Sequence, residues 1–296
     1  MIYTYQACMA GPYHMEHDIP CQDACQVKKN GDIVVAAVAD GLGSELHSDV
    51  GAAVASQVAT EHCAEKIAAG MMKEEVLAVI KESFELAYEA VVTVARSKAE
   101  PEEEYPEDEY DCTLCLAVYD GTTLYYGQSG DSGMVARMKD GSYVKVTEQQ
   151  RDGWGRVFSL CFGEDEWMID QLEGEVDAVM LMTDGVWEEL CMEGAPDVNE
   201  ELAKQFLDFG EITEEERSQL EEKANEYLKH YPRNLIDDDK TVVVLFREPD
   251  ASKTTGRNAK DRTSSIYDAL CNMVAKWLNR AFDLKSEVMK KEEVLK

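Results

Sequence analysis

Basic side chains are scarce in this chain, where 29 Lys and Arg stand against 60 Asp and Glu for a formal charge of −31. Such a field repels nucleic acid phosphates wherever a strong local basic patch is lacking, so nucleic acid is excluded as an expected partner. No apolar run approaches the roughly 18 residues that a membrane-spanning helix needs. The opening Met1–Gln6 has no basic segment leading into an apolar one, so the chain is expected to stay in the cytoplasm. Nine cysteines do not divide into pairs, and without an export signal they are expected as reduced thiols, with no disulfide framework. No internal repeat is visible, and no Arg precedes Arg96.

Hydrophobic residues make up 45% of the chain and charged residues 30%, which suits one large soluble globular domain. The apolar run Ile33–Ala39, closed by Asp40-Gly41, reads as a buried strand entering a tight turn. Helical spacing follows from Ser48 or Asp49 to about Ala69, with Gly70 as a stop, and again from Glu74 to Ala95. The acidic stretch Glu100–Asp111 reads as a solvated loop. Three β-like runs (Thr113–Tyr119, Leu124–Gln128, Met134–Met138) and a run opened by Asp140-Gly141 predict an antiparallel meander. Further strands are expected at Ala178–Met182 and Thr241–Phe246, with mainly helical chain from Asp197 to His230 and a capping box at Thr213. After Pro249 the composition changes. Residues 1–248 are read as the main folded domain, 249–264 as a linker and 265–296 as a helical tail.

Aspartates recur where strands end: Asp40, Asp131, Asp184 and Asp238. Each alone is an ordinary turn residue. Converged, they would repel one another unless a hard divalent cation such as Mg²⁺ or Mn²⁺ took their oxygens as ligands.

Five short motifs in order carry a resemblance to the protein phosphatase 2C family: Gln22-Asp23-Ala24, Asp40-Gly41-Leu42-Gly43, Gly130-Asp131-Ser132, Thr183-Asp184-Gly185-Val186-Trp187-Glu188 and Asp238-Asp239-Lys240-Thr241. The resemblance implies an α+β fold, an αββα sandwich of two antiparallel sheets flanked by helices, with the metal centre at one end. It also implies a phosphoserine/phosphothreonine phosphatase that uses a metal-activated water and opposes a Ser/Thr kinase. By the same resemblance Asp40 bridges two Mn²⁺ or Mg²⁺ ions with the Gly41 carbonyl as a further ligand, and Asp184 and Asp238 complete their shell. Asp131 and Glu188 resemble ligands of a third ion, and Asp23 a residue that orients metal waters.

Departures from the family pattern leave rivals open. The Arg that many members place before the first acidic motif is absent, so His14 is a candidate phosphate contact, with His17 beside it. Leu42 stands where eukaryotic members often carry His, which favours a bacterial-type member. A catalytically weak binding module and a phosphatase of small metabolites are the alternatives. The set His14, His17, Cys21 and Cys25 offers zinc ligand types in an unusual order, whereas Cys112 and Cys115 fall on opposite faces of a strand. In the tail, Ile266, Leu270, Met273, Val274, Trp277, Leu278 and Phe282 would form one apolar stripe on an amphipathic helix. That stripe is expected to dock on its own domain, on a partner protein or on a membrane surface.

Overall fold

The computed structural model describes residues 1–100, 104–191, 198–208, 213–230 and 237–247, all within one compact unit, Met1–Glu248. Along it run β1 (Ile2–Met9), α1 (Pro12–Glu16), β2 (Asp23–Asn30), β3 (Ile33–Asp40), α2 (Ser48–Lys66) and α3 (Lys73–Lys98). Next come β4 (Leu114–Tyr119), β5 (Leu124–Ser129), β6 (Gly133–Met138), β7 (Tyr143–Lys145), β8 (Met168–Gln171) and β9 (Val176–Met182). The last elements are α4 (Asp184–Leu190), α5 (Glu200–Leu207), α6 (Glu214–Ser218), α7 (Leu220–His230) and β10 (Lys240–Arg247).

Every strand pairing is antiparallel, and the strands form two sheets in the orders β1-β10-β9-β6-β7 and β2-β3-β4-β5-β8. Strand β3 explains the layering. Val34, Ala36 and Val38 face the other sheet, where they meet Met134, Val179, Leu181 and Val243. Val35, Ala37 and Ala39 face the helices, against Ala52, Ala55 and Ala59 of α2 and Ile80 and Phe84 of α3. A strand covered on both faces tolerates no polar residue, which is why this run is continuously apolar rather than alternating. The second sheet buries its outer face (Tyr5, Met180, Met182, Val242, Val244) against Trp187 and Leu190 of α4, Leu202 and Phe206 of α5 and Leu228 of α7. Each such side chain contributes about 1.5–3 kcal/mol by leaving water. The four layers are the expected αββα sandwich.

Two sequence expectations change. The predicted meander is broken after β5, because β5 belongs to one sheet and β6 to the other; the chain crosses over at Ser129–Ser132, with Gly130 at φ 97°, a backbone region that only glycine enters freely. Strands β1, β2 and β8 are additional to the expected set. Cys112 and Cys115 are buried on opposite faces, one under the helices and one between the sheets. Thr213 and Glu216 form the reciprocal capping box. The linker and tail lie outside the described residues.

Candidate metal centre

Strand ends deliver the acidic residues to one place. Asp40 closes β3 directly opposite Asp23, the first residue of β2. Its backbone is clamped to the neighbouring strand: its N–H donates to Thr113 Oγ1 at 2.9 Å, its carbonyl accepts from Thr113 N at 2.8 Å, and Thr113 Oγ1 also meets Ser132 Oγ at 2.8 Å. Asp131 sits in the crossover turn just before Ser132 and is 3% exposed. Asp184 opens α4 immediately after β9. Ligand oxygens of Asp40, Asp131 and Asp184 all lie within 4.8 Å of one another, the one such metal-ligand group among the described residues. Asp238, exposed on the approach to β10, is close enough for its charge to raise the pKa of all three.

Asp23 lies behind this group. Its Oδ2 accepts from Thr183 Oγ1 at 2.7 Å, and Thr183 Oγ1 in turn accepts from Thr241 N at 3.0 Å, so one hydroxyl ties β2, β9 and β10 together. Gly185 is demanded by close approach, since a Cβ there would collide with the carbonyl oxygen of Asp239. Gly41 donates its N–H to Gln22 O at 3.1 Å, which fixes the turn after Asp40.

Crowding has an electrostatic cost. Burial, then the charges of Asp23, Asp184, Asp238 and Asp131, push Asp40 well above the usual carboxylate range. Burial first, with Asp131 and Asp238 next, pushes Asp184 up to about 7. Burial also raises Asp131, although Arg151 opposes it, and raises Asp23. Asp184 Oδ1 and Asp23 Oδ1 are buried without a hydrogen-bond partner. Unpartnered buried carboxylate oxygens are expensive; a divalent cation in an all-oxygen setting satisfies Asp184 Oδ1, and a water on that cation satisfies Asp23 Oδ1, so the residues present fit Mg²⁺ or Mn²⁺.

One cation of the chain already reaches the cluster. Arg151 donates from Nε to Asp131 Oδ2 at 2.7 Å and from a terminal nitrogen to Asp184 Oδ2 at 3.0 Å. Glu188, exposed one turn after Asp184 on α4, adds its field to this guanidinium. Sequence reasoning missed Arg151 because no motif surrounds it. Lys240 was also missed; it is buried, its pKa is lowered by that burial, and its Nζ donates to Asp238 O at 2.8 Å.

The candidate His14 is engaged elsewhere, by Asp239, the motif neighbour of Asp238. Asp239, 2% exposed, accepts from Gly11 N at 2.6 Å, pairs with His14 Nδ1 at 2.9 Å and accepts from Gln22 N at 2.6 Å. One ring nitrogen of His14 is therefore spent on anchoring β10 to the segment before β2. His17 uses Nδ1 on Tyr13 O at 2.8 Å, and Cys21 lies against Cys8, so the zinc set suggested by the spacing is not gathered into one site.

A sandwich of two sheets between helix layers, closed at one end by buried aspartates suited to divalent cations, defines a metal-dependent hydrolase class. The family model described as Protein phosphatase 2C matches residues 10–229. The chain belongs to the protein phosphatase 2C family. It is 27% identical over 260 residues to Serine/threonine-protein phosphatase 3 of Escherichia coli strain K12, covering 81% of this chain and 96% of that protein. In fold it is similar to the serine/threonine phosphatase Stp1 of Staphylococcus aureus, at TM-score 0.57 and 12% identity over 84% of this chain and 96% of the other. It is also similar to the catalytic domain of the phosphatase PstP in complex with two manganese ions, at TM-score 0.54 and 16% identity over 84% of this chain and 99% of the other. Among the described residues no helix is long and apolar enough to cross a membrane.

Proposed function

We propose that this chain is a metal-dependent protein phosphatase that hydrolyses phosphoserine and phosphothreonine in the cytoplasm, opposing a Ser/Thr kinase. The observation that carries the reading is the convergence of Asp40, Asp131 and Asp184 from three separate strand ends, with Asp184 Oδ1 buried and unpartnered. Two Mn²⁺ or Mg²⁺ ions would be held by Asp40, Asp184, Asp238 and the Gly41 carbonyl. Bound there, divalent cations lower the pKa of a water and stabilise charge on the phosphoryl oxygens.

The chain's own groups do the rest. Asp23, held by Thr183 with Oδ1 free, is placed to accept a hydrogen bond from water and orient it. Arg151 provides positive charge beside Asp184 where the family's usual N-terminal Arg is missing. A third ion at Asp131 and Glu188 would have to displace Arg151 from Asp131, so the third site is weak. His14 contributes to phosphate binding only through the ring nitrogen that Asp239 leaves free. The inactive-module and metabolite alternatives are not favoured, because every expected carboxylate is present and the relatives carry protein phosphatase names. The tail is a regulatory or targeting appendage. Release of phosphate from a phosphothreonine peptide with Mn²⁺, Mg²⁺ or chelator tests the reading; full activity in chelator would sink it.

A further inference from the structure

Behind the acidic centre, two thiols face each other across the sheets. Cys8 lies on β1 of one sheet, paired in register with Thr241, and Cys21 lies just before β2 of the other. Their sulfurs are 3.7 Å apart, and both approach the carbonyl oxygen of Asp23, at 3.7 Å from Cys8 and 3.9 Å from Cys21. Cys8 is solvent-exposed and both thiols are free. The geometry points to Cys8 and Cys21 as a reversible dithiol switch, oxidised to a disulfide by hydroperoxides and coupled through Asp23 to the adjacent catalytic centre.

Accessibility and proximity supply the two requirements of such a pair, an exposed attacking sulfur and a resolving thiol within reach. The hydrogen bond from Cys21 lowers the pKa of the Cys8 thiol, which favours Cys8 as the attacking sulfur, while burial first raises Cys25 to about 12. In the first step the Cys8 thiolate attacks one peroxide oxygen, the O–O bond breaks, and water leaves after proton uptake, with sulfenic acid on Cys8. The Cys21 sulfur then attacks that sulfur, the S–O bond breaks, and the hydroxyl leaves with the Cys21 proton as a second water. The two thiols are oxidised by two electrons and the hydroperoxide is reduced.

Closure to about 2.05 Å must move one sulfur toward the other. Cys21 is the mobile side, since Cys8 is held in a paired strand. Its shift drags Gln22 and Asp23, whose contacts with Asp239 and Thr183 position the centre. The bridge itself stands on sulfur geometry alone, whereas its consequence rests on the metal-centre reading.

Full-length protein treated with hydrogen peroxide and mapped by non-reducing peptide mass spectrometry tests both. The expected result is a Cys8–Cys21 linked peptide pair, lighter by two hydrogens and split by dithiothreitol, retained in Cys25→Ser and lost in Cys8→Ser and Cys21→Ser. Calorimetric Mn²⁺ titration of the oxidised wild type should show affinity weakened by about tenfold, restored on reduction. Over-oxidation of Cys8 without a bridge, or a bridge to Cys25 or another chain, overturns the pair. A mapped bridge with unchanged Mn²⁺ affinity overturns the coupling, and reduced protein that binds no Mn²⁺ overturns the metal reading instead.

Discussion

At the scale of single residues, neighbours in sequence divide the labour at the start of β10. Asp238 is exposed toward the acidic cluster, whereas Asp239 is buried and accepts three hydrogen bonds. Asp238→Ala should lower turnover by orders of magnitude with little change in unfolding temperature. Asp239→Ala should instead strand Gly11 N, Gln22 N and His14, costing about 3 kcal/mol or more in denaturant unfolding. Equal effects of both on Mn²⁺ affinity would show the motif misplaced by one residue. Asp40→Asn and Asp184→Asn should each abolish most activity while the circular dichroism of the fold persists. Arg151 predicts a change of the opposite sign. Removing a cation from Asp131 and Asp184 leaves more negative charge for the metal, so Arg151→Ala should bind Mn²⁺ several-fold more tightly by calorimetry, about 1 kcal/mol; unchanged affinity would mean the ion pair is only a surface contact.

At the scale of elements, the site is a product of strand ends and the turns that follow them. Gly185 shows how narrow the tolerance is. A methyl group there meets the Asp239 carbonyl, so Gly185→Ala should push α4 away from the β10 turn. Metal affinity should fall, and the residual activity should need more Mn²⁺; a normal Mn²⁺ titration would show that the turn adapts. The carboxylates were legible in sequence because buried strands such as Ile33–Ala39 announce themselves as apolar runs and end at Asp-Gly turns. Arg151 was not legible, because its role depends on a loop folding back from β7 over Asp131 and Asp184, a long-range contact with no local signature. Strand β2 hid its pattern for a different reason. It lies at a sheet edge, and Lys28, Lys29 and Asn30 are exposed, which breaks the apolar run that a central strand would have. The crossover between β5 and β6 was missed because two runs joined by a short turn read as a hairpin, and only the tertiary packing separates them into two sheets.

At the scale of the whole molecule, charge dominates. Burial and mutual repulsion raise Asp40, Asp131 and Asp184, the last to about 7. Their folded pKa values exceed those of the unfolded chain, so in metal-free protein they contribute stability while protonated. For Asp184 that contribution is complete below about pH 4 and is lost as pH rises through about 7. Chelator-treated protein should therefore melt progressively lower between pH 5 and pH 8, and saturating Mn²⁺ should flatten the slope. A slope unaffected by Mn²⁺ would mean that the excess surface charge, not the cluster, sets it. Truncation after Pro249 is expected to leave a cooperatively unfolding, metal-dependent phosphatase, and an insoluble product would place the tail within the catalytic unit. The central claim, that the aspartate cluster hydrolyses phosphothreonine through bound divalent cations, is tested most directly by one titration. Chelator-stripped protein is titrated with Mn²⁺ while heat of binding and phosphate release from a phosphothreonine peptide are followed together. Phosphate release should rise in step with site occupancy and vanish in Asp40→Asn; release at full rate before any Mn²⁺ binds, or full occupancy with no release, would contradict it.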